Sequence, residues 1–234
     1  MLLTGYDSNT ILAALPQEAW PLLLPHLEEV DLRLGDVLHE TGCEISDIYF
    51  STTAVISILS DLENGASAQI AVIGYEGLVG VSIFLGVSST SLSAVVLSAG
   101  KGYRIKADRI LEVFNQSRPV RNLLLRFTQA LVAQMGQTAA CNRHHSLNQQ
   151  FCRLLLMILE RQRGDELVMT QELLAHTLGV RREGVTEAAI LLQKDGLIRY
   201  ARGHITVLDR SGLEQRTCEC YGVVKKEYLR LFTI

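Results

Sequence analysis

The sequence TQELLAHTLGVRREGVTEAAILLQKDGLI, residues 170–198, decides the fold of the carboxy-terminal half. Its apolar residues form two helical stripes that are separated by Gly179. Glycine adopts positive φ at little cost, so Gly179 suits a sharp turn between two short helices. The pattern therefore predicts a helix-turn-helix. The stripes consist of Leu173, Leu174 and Leu178, then Val185, Ala189 and Leu192.

Two short runs of strand-forming residues follow, at 197–200 and 205–208, with the turn sequence ARGH between them. Such runs joined by a glycine-containing turn are typical of a β-hairpin. A helix-turn-helix followed by a hairpin forms a winged helix, so the expected ligand is DNA. The alternative is a helical hairpin with a β-ribbon that serves only for packing.

The second predicted helix opens with three charged residues, Arg181, Arg182 and Glu183. The first turn of a recognition helix meets base edges when the helix enters a major groove. Arg181 stands where Ser, Thr, Asn or Asp would cap the helix best. We expect a phosphate contact from Arg181 to offset the missing cap. In the packing-only alternative, both arginines belong to a solvated face.

Charge divides the chain into two unlike halves. The net charge of the 234 residues is −3, but residues 1–117 carry 5 Lys+Arg against 14 Asp+Glu, whereas residues 118–234 carry 17 against 11. The basic half contains the predicted helix-turn-helix. This asymmetry is expected when one domain approaches phosphates and the other does not.

Several classes of protein are disfavoured by composition. No stretch reaches 18 uninterrupted apolar residues, so we expect no membrane partner. The amino terminus lacks the positive start of a secretory signal, and five scattered cysteines suit a reducing cytoplasm, which is the predicted location. No Ser-His-Asp set or carboxylate pair has a spacing typical of catalysis, so we predict that the chain is not an enzyme.

The amino-terminal half is rich in Val and Ile between residues 30 and 105 and is punctuated by glycines, which predicts a β-roll. After Pro119 the pattern changes to one long helix over 120–143 with an apolar repeat of about 3.5 residues. This seam predicts a dimer interface; the alternative is a helix that packs only on its own roll. The predicted interface residues are Leu124, Phe127, Leu131 and Met135.

A capping-box pattern, Ser146 to Gln149, starts the next helix. We therefore predict a sensory β-roll domain over 1–117, a dimerisation helix over 118–145 and a winged-helix DNA-binding domain over 146–234. A turn is predicted over 164–166, and a terminal helical region is predicted to begin at Ser211 by the same capping logic.

A glycine-punctuated roll, a long dimer-type helix and a winged helix, in this order, resemble the Crp/Fnr family of bacterial transcription regulators. The resemblance covers nearly the whole chain and implies an α+β fold with a roll like that of cyclic-nucleotide-binding domains (a double-stranded β-helix). It rests on LGDVL (34–38), Gly42, DIYF (47–50), GYEGLVG (74–80) and GVRREGV (179–185).

The resemblance also implies roles for single residues. Arg182 and Glu183 would read bases, Arg from guanine and Glu from cytosine, which is chemically sound. Glu187 stands at the third reading position, where well-known members often have Arg, so no operator sequence can be carried over. The remaining predicted DNA contacts are Thr170, Gln171, Arg181, Thr186, Arg202 and His204.

The resemblance makes the roll a sensor, with an effector pocket predicted at Gly77, Val79, Gly80, Val81 and Ser91. A cyclic phosphate needs a cation, and the ribose a Glu, but the corresponding positions hold Ser91 and Val81. Residues 34–100 contain no Lys or Arg at all. Backbone amides near Gly80 could still bind an anion. We expect an unidentified small-molecule effector and not cAMP.

No cofactor or metal is predicted. Cys43 stands alone in the first 140 residues, which argues against the iron–sulfur cluster of the oxygen-sensing members of the family. Cys141 and His144 lie one helical turn apart and could share a metal or bind haem, but a capping role for the histidine is the simpler interpretation. Cys218 and Cys220 are spaced too closely for a usual zinc pair.

We therefore expect a homodimer that binds a double-stranded DNA operator of two-fold symmetry, with RNA polymerase as a further partner. A hinge near His145 would let the roll shift the two reading helices. The alternative is a ligand-binding or scaffolding dimer whose winged helix contacts protein.

Overall fold

Eight short strands in the amino-terminal half form the predicted roll. The computed structural model describes residues 6–162 and 166–232. The strands are β1 (Glu28–Leu32), β2 (Val37–His39), β3 (Asp47–Ser51), β4 (Val55–Asp61), β5 (Ser67–Ile73), β6 (Leu78–Val79), β7 (Ser93–Ser98) and β8 (Gly100–Lys106). They pair antiparallel in two four-stranded sheets, in the orders β1-β8-β3-β6 and β2-β7-β4-β5. Alternating apolar residues fill the space between the sheets.

Three short helices border the roll: α1 (Thr10–Ala13), α2 (Trp20–Leu23) and α3 (Ala107–Gln116). Buried Asn9 caps α1, because its Oδ1 accepts hydrogen bonds from the backbone N–H groups of Ile11 and Leu12. Its amide nitrogen donates to the carbonyls of Ser51 and Gly77, at 2.7 and 2.8 Å. One side chain thus fixes the amino-terminal helix to β3 and to the turn that precedes β6.

The predicted long helix is α4 (Arg118–His144), capped by Ser117. Its apolar seam faces the roll of the same chain. Leu124, Phe127 and Leu131 are buried in the roll core, and Met135 is partly buried against it. The prediction that these four residues form a dimer interface is therefore wrong, and the alternative that the helix packs on its own roll describes them. The seam is buried because its side chains share one hydrophobic core with the apolar residues of the roll.

The carboxy-terminal half forms the predicted winged helix. Its elements are α5 (Leu147–Leu159), β9 (Glu166–Val168), α6 (Gln171–Leu178), α7 (Arg182–Lys194), β10 (Ile198–Ala201), β11 (His204–Val207), α8 (Arg210–Arg216) and α9 (Cys220–Phe232). The strands form one sheet in the order β10-β11-β9. Ser146 and Gln149 make the predicted capping box of α5. The terminal helical region begins earlier than predicted, because the N-cap of α8 is Asp209 and not Ser211.

The predicted turn at 164–166 falls partly on residues 164 and 165, which lie outside the described residues. Within the described ranges, no helix is long and apolar enough to cross a bilayer.

The two halves of the chain are in direct contact. Helix α9 packs along α4, and Tyr228 and Phe232 reach the roll core. Helix α6 lies against β5, where Ser67 Oγ is 2.6 Å from His176 Nε2. Val55, Val72 and Leu97 of the roll join the core of the carboxy-terminal half. The winged helix is therefore docked onto the roll.

Candidate nucleic-acid interface

The turn between α6 and α7 has the geometry that its sequence predicts. Gly179 ends α6 with φ +64°, and its N–H bonds back to the carbonyls of Ala175 and His176. A Cβ at this position would also lie 3.3 Å from the Cβ of Ala68 on the roll. Glycine suits this position chiefly for its backbone conformation, and a side chain would also be tight against the roll. The helix-turn-helix is confirmed.

Helix α7 presents its first turn to solvent. Arg181, at the N-cap, makes no side-chain capping bond, as predicted, and Arg181, Arg182 and Glu183 are all exposed. The opposite stripe, with Val185 and Leu192, is fully buried. The helix is thus held by its apolar face while its charged face stays available for a ligand.

A groove of about 400 Å³ lies between α7 and the wing hairpin of β10 and β11. Thr170 caps α6 by accepting from Leu173 N–H at 3.1 Å, and Arg182 Nε donates to Gln171 Oε1 at 3.3 Å. These bonds bring the start of both helices to one face. Five of the predicted DNA contacts line this groove: Thr170, Gln171, Arg182, Thr186 and Arg202.

The tip of the wing is a two-residue turn formed by Arg202 and Gly203, with Ala201 paired to His204. Both turn residues have positive φ, +51° and +81°, which is the type I′ arrangement of tight hairpins. Arg202 is the one non-glycine residue with positive φ in the described parts of the chain. The backbone N–H of Met169 donates to Gly203 at 2.7 Å and holds the tip beside α6.

The other predicted contacts lie next to the groove. Arg181, Glu183 and Glu187 are exposed on α7 but outside the groove lining, and His204 is exposed at the start of β11. Thr186 uses its hydroxyl to donate to the carbonyl of Arg182 at 3.0 Å, which leaves its oxygen free only as an acceptor. Donor and acceptor side chains therefore share one exposed surface, which can contact both phosphates and base edges.

The predicted effector pocket is almost closed. A cavity of about 40 Å³ lies inside the roll, and Val79, Gly80 and Val81 line it. Gly77 and Ser91 lie outside its lining; Ser91 is exposed, and a Cβ at Gly77 would come within 2.4 Å of the Phe127 ring. Small-molecule sites usually have about 300–1,000 Å³. In this arrangement the roll has room for a few waters but not for a nucleotide.

The end of α4 brings together four residues that the sequence patterns did not connect. His144 is exposed, and it is His145 that turns toward Cys141. Cys218 and Cys220 complete the group, with Cys141 Sγ at 3.5 Å from Cys218 Sγ. The spacing of Cys141 and His145, four residues apart on a helix, could have indicated half of this cluster. The other half depends on how α9 packs, which no local pattern shows.

The carboxy-terminal half matches a known protein-family model. Residues 149–216 match the model of the Crp-like helix-turn-helix domain. A search of curated proteins gives no significant match. The match covers the helix-turn-helix, the wing and the helices on either side of them.

Solved structures share the fold of the whole chain. A protein assigned to the Crp/Fnr family of transcriptional regulators from Eubacterium rectale is 18% identical, with a TM-score of 0.71 over 90% of this chain and 98% of that one. FixK2 from Bradyrhizobium japonicum is 15% identical, with a TM-score of 0.70 over 82% and 98%. A Crp/Fnr regulator from Thermus thermophilus is 19% identical, with a TM-score of 0.64 over 81% and 97%. The chain therefore has the fold of Crp/Fnr regulators and carries their type of helix-turn-helix.

Proposed function

We propose that this chain, which carries a Crp-like helix-turn-helix in the fold of Crp/Fnr regulators, is a sequence-specific DNA-binding regulator of transcription that acts in the cytoplasm. One observation carries the proposal: the exposed first turn of α7 shares a face with the wing tip and with the start of α6. A helix N-terminus with flanking cations, set on a rigid apolar base, suits insertion into a major groove.

In this proposal Arg182 and Glu183 read base edges. The guanidinium can donate two hydrogen bonds to one guanine, and the carboxylate can accept from cytosine. The bond from Arg182 to Gln171 holds the guanidinium at the start of the helix before DNA arrives. Glu187 lies one turn further along and would accept a third base contact. Thr170, Arg181, Arg202 and His204 would then lie near the phosphate backbone.

We infer a homodimer that uses the face of α4 turned away from the roll. Leu125 and Val132 are exposed to 37% and 52% on this face, seven residues apart, with Gln129 and Gly136 also exposed beside them. A spacing of seven residues returns to the same side of a helix, as in a coiled-coil seam. Helix α4 has 27 residues and would span roughly 40 Å. Two copies would place their reading helices on the half-sites of a two-fold operator.

Control by a small molecule would act through α4. Leu131 and Met135 form part of the wall of the roll cavity. A ligand large enough to occupy the roll would therefore displace α4, to which the winged helix is attached near His145. The lining residues include no Lys or Arg side chain among those described, so a neutral effector suits the cavity better than cAMP. RNA polymerase is the further partner expected of an activator.

The test is selection of bound fragments from random duplex DNA, followed by titration of the selected duplex. We expect a two-fold motif, and affinity that falls steeply with salt. Arg182→Ala should cost about 1–3 kcal/mol and relax preference at one base pair. Arg109→Ala, on the exposed surface of α3, is the matched control and should bind like the wild type.

A scaffolding dimer whose winged helix contacts protein would give a different result. Its chain would select no motif, and its partner would be a protein. Failure to enrich any sequence at low ionic strength would refute DNA binding, and an unchanged preference in Arg182→Ala would refute the assigned reader.

A further inference from the structure

We propose that Cys141, His145, Cys218 and Cys220 form a zinc site that joins the end of α4 to the start of α9. The ligand atoms of all four side chains lie within 4.8 Å of one another. Three of the residues are thiols, and all of these are buried, with exposed fractions of 0%, 4% and 0%. A compact Cys₃His set is one of the usual structural zinc arrangements.

The backbone holds the first two ligands in place. Cys141 lies in the last turn of α4, and His145 is its C-cap, whose N–H donates to the Cys141 carbonyl at 3.0 Å. The separation of four residues puts both side chains on one face of the helix. The other two ligands come from the start of α9. Cys220 is its first residue, and Cys218 lies in the connection that precedes it.

The distances fit a tetrahedral ion. Sulfur atoms bound to one zinc at 2.3 Å are roughly 3.8 Å apart by geometry. Cys141 Sγ lies 3.5 Å from Cys218 Sγ, and Cys220 Sγ lies 3.4 Å from His145 Nδ1. The group therefore needs only small side-chain movements to surround a single ion. Ligands of an iron–sulfur cluster would have to stand further apart, because they surround several iron atoms.

Surrounding groups complete the site as second-shell partners usually do. Nδ1 of His145 faces the thiols, while Nε2 is 3.2 Å from the carboxylate of Glu219, the arrangement that fixes the ring and makes the ligand nitrogen more basic. Gln137 Nε2 donates to Cys220 Sγ at 3.0 Å. These contacts orient the imidazole and one sulfur before metal binds.

Charge also favours the ion. The guanidinium of Arg153 is buried and interacts electrostatically with Cys141. Buried thiolates need a cation to compensate for their charge. Zinc supplies two positive charges against three thiolates, and Arg153 offsets the remaining negative charge. Zinc prefers such soft sulfur and imidazole ligands, whereas magnesium and calcium prefer oxygen.

A bound ion would join elements that are distant in sequence. Helix α9 packs along α4 and reaches the roll core, and α8 is part of the winged helix. The zinc would therefore hold the winged helix at a fixed place on the end of α4. Zinc binding at this site does not depend on DNA binding.

The experiment titrates the full-length chain, reduced and treated with a chelator, with Co²⁺ and then with Zn²⁺. We expect one Co²⁺ per chain, with the visible bands of a tetrahedral ion and thiolate-to-cobalt charge transfer, both abolished by Zn²⁺. Zinc should also raise the melting temperature of the wild type, since an ion that binds only the folded state stabilises it.

Matched variants separate the site from its surroundings. Cys220→Ser and His145→Asn should change the cobalt spectrum and lose the zinc-dependent rise in melting temperature. Cys43→Ser and His144→Asn are the controls, because both side chains are exposed and lie outside the cluster, and they should behave like the wild type. Glu219→Gln should weaken zinc binding by roughly 10–100-fold and leave the tetrahedral spectrum intact.

Two results would overturn the proposal. One is a reduced wild-type chain that binds no Co²⁺, or binds it with octahedral bands. The other is a chain isolated with a Cys141–Cys218 disulfide, found by mass spectrometry of peptides, that takes up no zinc after reduction; the cluster would then be a redox pair.

Discussion

Glu76 on the roll and Arg161, just beyond α5, form a buried ion pair, with Arg161 Nε 2.7 Å from Glu76 Oε1. Arg161 also donates to the Met157 carbonyl and to Gln134 Oε1 of α4, and it lies over the ring of Tyr228 on α9. Burial lowers the pKa of Arg161, but Glu76, Tyr228 and Glu160 together raise it by more, so the net shift is upward. One guanidinium therefore connects the roll, the long helix and the winged-helix half.

Glu76→Gln should destabilise the chain by about 3–5 kcal/mol, because it leaves the Arg161 charge buried without a counter-charge. Equilibrium denaturation followed by tryptophan fluorescence and by far-UV circular dichroism measures this. Glu112→Gln, in an exposed pair with Arg109, should change stability by no more than about 1 kcal/mol. Equal stability of the two variants would mean that the pair does not hold the halves together.

Acid should weaken the packing of α9 through Glu160. Burial raises the pKa of this carboxyl, but hydrogen bonds from Lys225, at 2.7 Å, and Tyr221, at 2.6 Å, together with the charges of Lys225 and Arg161, lower it by more, so the net shift is downward from 4.5. A carboxyl with a lowered folded pKa contributes stability above its unfolded pKa and loses it as pH falls through the folded value.

Stability measured against pH should therefore decline below about pH 4.5 less steeply in Glu160→Gln than in the wild type. Glu63→Gln, on an exposed loop of the roll, should follow the wild-type curve. Parallel curves for wild type and Glu160→Gln would show that other carboxyls govern the acid limb.

The face of α4 that we propose for dimerisation can be tested against the face that sequence predicted. Leu125→Glu and Val132→Glu should yield folded monomers, because both side chains are exposed. Leu131→Ala, on the buried face, should instead cost about 2–5 kcal/mol by leaving a cavity. Light scattering gives the mass and denaturation gives the stability. Dimers that persist in both charged variants would place the interface elsewhere.

The apolar seam of α4 shows which structural information the sequence does not contain. A repeat of apolar residues identifies a buried face of a helix but not the partner that buries it. Leu124 and Leu131 pack against the roll of their own chain, whereas Leu125 and Val132, each one residue further along, are exposed. Turns were more predictable, because Gly179 and the Ser146 capping box depend on bonds within a few residues. The cysteines of α4 and α9 meet only through tertiary packing.

At the wing tip, the charge and the backbone conformation of one residue, Arg202, can be tested separately. Arg202 has φ +51° and is followed by Gly203 at +81°. A left-handed conformation costs a non-glycine residue roughly 1–2 kcal/mol, so Arg202→Gly should keep the turn and remove that strain, with stability unchanged or higher.

If the guanidinium of Arg202 contacts a phosphate, Arg202→Gly should bind every duplex more weakly and reduce the slope of log affinity against log salt by about 1. Arg202→Lys keeps the charge and should restore that slope. A slope that stays at the wild-type value in Arg202→Gly would mean that the strained arginine does not touch the phosphate backbone, because loss of one ionic contact necessarily releases fewer counterions.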